Sequence, residues 1–264
     1  MSITTSTDPD QIGERRKALP TGASGGAGDQ SERQRATSPD QMDTLALTRL
    51  MQIVSPALPI GAFAYSQGLE QAVASGWVTG ETEAGAWLLG LLESSFATLD
   101  LPVLARLLRA WRADDEAAVE RWSGWLLACR PTREMRAEDR QLGAALARTL
   151  DALGIEEARR WAPRADVTHA GMFALAAARF RIPTPVALVG YAFAWAEALV
   201  SAAVRLVPLG QSAGQRLLAH AGEAIPDLAV AALAIDDDDI GAVAHGQAVA
   251  SALHETLYAR LFRS

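Results

Sequence analysis

An all-α fold, a single bundle of about ten helices, is what this chain predicts, and three observations carry that reading. Apolar residues recur at helical spacing from Leu45 onward, period-two alternation is scarce, and β-branched residues never cluster with aromatics between hairpin turns. Half of the 264 residues are apolar, ample for one sizeable core. No internal repeat at a fixed period points to a solenoid.

Residues 1–42 are rich in Ser, Thr, Gly, Asp, Gln and Arg and nearly devoid of large apolar side chains, which predicts a disordered tail ahead of a helical domain at 43–264. The first helical face expected is Leu47, Leu50, Met51 and Val54, stopped by Ser55-Pro56. Pro56 and Pro59 then fix an extended turn, Gly61 relieves crowding, and a helix from about Tyr65 turns Leu69 and Val73 inward. Asp100 and Pro102 suit the N-cap and first turn of a helix with Leu104, Leu107, Leu108 and Trp111 buried. Val119, Trp122, Leu126 and Cys129 form the next stripe. Thr132 caps a helix whose inner face is Met135, Leu142, Leu146, Leu150 and Leu153, ended by Gly154. The segment from Val186 to Val204 holds one charge, Glu197, and reads as a helix at the bundle centre or across a dimer seam. Its Ala, Gly and Ser content, the mid-segment glutamate and the lack of a second span argue against a membrane helix. Pro208 breaks the chain before a helix carrying Gln211 and Gln215 on one face. The acidic run from Asp236 to Asp239 is placed to complement the dipole of the last helix. There Leu253, Leu257 and Leu261 recur every four residues, and helix is expected to within a few residues of Ser264.

Charge and motif content narrow the function. A formal net charge of −7 with interleaved signs argues against nucleic acid as a partner. The one cysteine, Cys129, allows no internal disulfide, and no secretory leader is legible, which predicts a cytoplasmic protein. Lys17 is the only lysine and lies between Arg16 and Ala18, so no P-loop exists. His254-Glu255 begins like the zinc-protease motif H-E-x-x-H, but Tyr258 stands where the second imidazole belongs. These features predict a non-enzyme with no cofactor and no metal site. A small metallohydrolase using His254, Glu255 and the Asp236 to Asp239 run is the alternative. Surface devices stand out instead. Arg133, Arg136 and Arg140 share a helical face with Glu134 and Glu138, and Phe63, Tyr65 and Glu70 are candidate contacts of the proline turn.

Three segments resemble the UreF family of urease accessory proteins: Ser55 to Glu70 (SPALPIGAFAYSQGLE), Ser201 to Gln215 (SAAVRLVPLGQSAGQ) and His254 to Ser264 (HETLYARLFRS). The Thr132 to Arg136 segment (TREMR) resembles its counterpart as well. The resemblance implies an all-helical, dimer-forming protein without catalysis of its own. It would bind UreD (UreH) and recruit the GTPase UreG, so that nickel reaches apo-urease. Within the quoted segments, Arg205, Gln211, Gln215, His254, Glu255, Tyr258, Arg260, Leu261 and Phe262 are the partner-binding candidates, the C-terminal ones for their adjoining helical face and their aromatic and arginine content. The last of these are expected to dock as a hot spot on UreD.

Overall fold

A computed structural model describes residues 42–241 and 244–264; the expected tail lies outside that range except for Met42. Among the described residues the fold is ten α-helices and no strand. They are α1 (Thr44–Ile53), α2 (Leu69–Ala74), α3 (Glu81–Leu91), α4 (Leu101–Arg112), α5 (Glu116–Cys129), α6 (Arg133–Ala152), α7 (His169–Arg179), α8 (Thr184–Leu206), α9 (Gln211–Leu233) and α10 (His245–His254).

At the centre lies α7, where every residue from Ala170 to Ala177 is buried. Its small side chains let α4 and α6 approach closely, and α8 and α9 complete the packing. The sequence reading offered the bundle centre or a dimer seam for the Val186–Val204 helix. Helix α8 is not enclosed on every side: Phe193, Ser201 and Arg205 are exposed, whereas the run AGMFALAA of α7, apolar on every face, is buried throughout. The closest approach is at Gly143 on α6, where an added Cβ would sit 2.5 Å from the Thr168 carbonyl carbon.

Local expectations fared unevenly. Thr132 does cap α6, its hydroxyl accepting from the Met135 amide at 3.2 Å, and Gly154 follows the helix with φ +89°. Asp115 and Thr168 cap α5 and α7 in the same way. Asp100 is not an N-cap. The helix runs on from Glu81 to Arg112 through a π-helical segment, Leu92–Asp100, in which the Leu101 amide reaches back to the Phe96 carbonyl. Pro102 has no N–H for the Thr98 carbonyl, and the Gly241 amide takes that place at 3.2 Å. This continuous helix and α8 are both long and apolar enough to cross a membrane by length and composition, so the expected lack of a second such helix was wrong. Their most apolar windows are 61% and 56% buried within the bundle.

Helix α1 turns Ala46, Leu50 and Ile53 inward, leaving Met51 59% exposed, so the expected face is rotated. The proline turn continues as a short 3-10 segment, Ala62–Ala64, and α2 starts only at Leu69. Gly61 adopts φ +81° with open space around it, so the left-handed turn rather than crowding requires glycine there. The Asp236–Asp239 run precedes α10 without capping it; Asp237 accepts instead from Arg106 Nε at 2.8 Å. Helix α10 ends at His254, and residues 255–264 fold back as a non-helical strap.

Candidate partner-binding site

The strap explains why three distant segments resemble one family together: they meet. Glu70, at the first turn of α2, accepts from the strap amides of Leu261 at 2.7 Å and Phe262 at 2.9 Å. The Arg263 amide donates to the Ala64 carbonyl at 2.8 Å, and the Ser66 amide donates to the Ser264 carbonyl at 2.8 Å. His254, with no exposed surface, stands between two carboxylates, Nε2 3.1 Å from Glu70 Oε2 and Nδ1 2.7 Å from Glu134 Oε2. Arg260 closes the same group on Glu134 Oε1 at 2.6 Å. Glu255 accepts from the Arg133 and Glu134 amides, at 3.1 and 3.3 Å, and so satisfies free donors at the start of α6. Arg205, at the end of α8, donates to the Phe63 carbonyl and stacks over the Phe262 ring at 5.1 Å.

This joint sorts the candidates by exposure. Glu70, His254 and Phe262 are buried, and so is Tyr65, whose hydroxyl donates to Gln141 at 2.7 Å. They hold the strap in place rather than face outward. Phe63 (64% exposed), Tyr258 (fully exposed) and Leu261 (66%) point to solvent, and Arg260 is exposed as well. Arg133 and Arg140 are exposed and Arg136 half-buried along α6. Gln211 and Gln215 are exposed on α9, and no hydrogen bond ties them to the joint. Glu138 is not on the solvated face expected for it: it is buried, accepting from Gln67 and from the Ser264 hydroxyl.

Behind the joint lies a cavity of about 140 Å³ that sequence reasoning missed. Its wall holds Arg130 between two buried carboxylates, Asp100 and Asp139, whose attraction outweighs the burial cost and raises the guanidinium pKa well above its ordinary value. Burial pushes Glu138 up to about 7 and His169 down to about 4. Tyr191, also raised by burial, stacks on Phe96, which stacks in turn on Trp195. The clue in the sequence was Asp100 and Asp139, carboxylates at positions where the helical stripes run inward; their shared partner Arg130 sits in a turn, where periodicity is silent.

Among the described residues no three His, Cys, Asp or Glu side chains are grouped to hold a metal ion. His254, Glu255 and Asp237 each engage different partners, so the metallohydrolase reading is left without an assembled site.

The UreF family model matches residues 78–222. The chain is 50% identical over 220 residues to the urease accessory protein UreF of Alkalilimnicola ehrlichii, covering 83% of this chain and 96% of that protein. It is 48% identical to the UreF of Pseudomonas putida strain W619, over 83% and 98% of the two chains. With the UreF of Chromohalobacter salexigens the identity is 47% over 227 residues, 85% and 97% of the two.

Proposed function

The chain belongs to the UreF family of urease accessory proteins, and from that membership we propose that it is a cytoplasmic, non-catalytic assembly factor. It binds UreD (UreH), recruits the GTPase UreG, and couples UreG's GTP cycle to delivery of nickel to apo-urease, acting as a homodimer within that complex. The single observation that carries this reading is the joint itself. The family-like residues are spent on holding a strap against the body, with Glu70 accepting from two strap amides and paired with His254, and the outcome is an exposed Tyr258 and Leu261 on the strap that also carries Arg260, together with an exposed Phe63. Rigid aromatic and aliphatic groups next to an arginine are typical of binding hot spots.

The test is a GTP-hydrolysis assay with purified components. The chain alone is expected to turn over no GTP, having no P-loop lysine, and to change the rate of UreG once UreD is present. Turnover by the isolated chain, or a UreG rate indifferent to the pair, refutes the proposal.

A further inference from the structure

Helix α6 separates its charges in a way the strap joint does not require. Its four carboxylates are all engaged: Glu134 with His254 and Arg260, Glu138 with Gln67 and Ser264, Asp139 with Arg130, and Asp151 with Arg159. Its four arginines, Arg133, Arg136, Arg140 and Arg148, have no carboxylate partner among the described residues. Outside α6, Arg106, Arg160, Arg164, Arg179 and Arg216 are ion-paired, and the arginines without an ion pair among the described residues, such as Arg49, Arg109, Arg121 and Arg181, are scattered over several elements rather than lined up on one helix face. At about 100° per residue the four α6 arginines fall within an arc of about 120°, and from first to last they span about 22 Å of helix. Arg133, Arg140 and Arg148 are exposed, while Arg136 is half-buried and donates to the Arg130 carbonyl.

Beside this stripe runs a shallow groove floored by Gly124, Leu127 and Ala128 of α5 and edged by Arg136 and Arg140. Asp166, at its far side, is taken up by Arg164 at 2.8 Å, so it does not neutralise the stripe. The floor is small and aliphatic, without the aromatic platforms that stack bases, and the chain is acidic as a whole. Arg133, Arg136 and Arg140 come about one per turn and Arg148 about two turns further on, a spacing that carboxylates along one side of another helix can meet.

We propose that the outer face of α6, with its groove against α5, docks a helix of a partner protein that carries carboxylates about four residues apart along one side. The proposal rests on the assembly-factor reading only in drawing that partner from the urease accessory proteins.

The test titrates the full chain with three probes: a synthetic helical peptide with Glu at every fourth position, its Gln counterpart, and a short RNA duplex. Purified UreD and UreG are titrated alongside. Arg140→Glu with Arg148→Glu is compared with Arg109→Glu with Arg181→Glu, an equal charge change at exposed arginines away from the stripe. The Glu peptide should bind in a salt-sensitive manner and the Gln peptide should not. The stripe variant should weaken the peptide and one accessory protein by about tenfold or more, and the control pair by about twofold at most. Unchanged affinity of the stripe variant for the peptide and for both accessory proteins overturns the proposal, as does tighter binding of the RNA duplex than of the peptide. Should wild type bind the Glu peptide through the stripe but neither UreD nor UreG, the assembly-factor reading fails and the docking face stands.

Discussion

His254 shows how far a residue's chemistry depends on what encloses it. In the sequence it began a zinc motif; in the fold both ring nitrogens are taken by carboxylates, with no surface left for a metal or a partner. Its replacement by Ala leaves Glu70 and Glu134 facing a void, and thermal or denaturant unfolding should register a loss of about 3 kcal/mol. Glu138 makes a second residue-level prediction, through pH. Its folded pKa of about 7 lies above the ordinary carboxylate value, so the folded chain holds a proton that the unfolded chain has released. That contribution is fully present below about pH 4.5 and is lost as pH rises through about 7. Glu138→Gln, whose side-chain oxygen can still accept a hydrogen bond but which does not titrate, should therefore gain stability relative to wild type progressively across that window. His169 acts with the opposite sign. Its pKa is lowered to about 4 by burial, so its contribution is present above about 6.5 and lost as pH falls toward 4. Stability curves of Glu138→Gln and of a His169→Asn variant should diverge from wild type at opposite ends of the range; parallel curves would show that neither group titrates as its burial implies.

Among the elements, the contact between α6 and the start of α7 has the least room. Gly143→Ala would drive a methyl into the Thr168 backbone, 2.5 Å from its carbonyl carbon, and backbone cannot swing aside as a long side chain can. A loss of about 2 kcal/mol or more in chemical denaturation is expected, against the gain of about 1 kcal/mol from Gly→Ala on an open helix face. The strap makes the complementary prediction. Tyr258→Ala with Leu261→Ala should leave the melting temperature unchanged, since both side chains lie in solvent, yet weaken UreD binding by about 2 kcal/mol. What was legible in the sequence follows from the same geometry. Helix type, the Thr132 cap, the Gly154 stop and the Pro208 break rest on local signals and were read correctly. The π-helical passage through Asp100, the rotated face of α1 and the return of the strap rest on tertiary partners: Arg130, the packing of α1 beneath Gly190, and Glu70. Periodicity carries no information about any of them. The site was legible in part, because the family-like segments named residues that the fold does bring together. Which of these face inward was not, since Tyr65 and Glu70 differ from Phe63 only in what packs over them.

The whole molecule is a helical body built around α7, an acidic chain that presents two surfaces, an arginine stripe along α6 and an exposed strap of Tyr258, Arg260 and Leu261 that meets the start of that helix. Residues 1–42 contribute no apolar stripe to the sequence, and we propose that their deletion leaves the helical content and melting temperature of the remainder unchanged. Two surfaces suit a protein that holds two different partners at once, which is the central claim. It is tested most directly by mixing the purified chain with UreD and UreG and measuring the mass of the eluted species by size-exclusion chromatography with light scattering. The account predicts one complex containing all three proteins, which loses UreD when Tyr258 and Leu261 are replaced by Ala. Separate elution of the chain from both partners, alone and in combination, would contradict it.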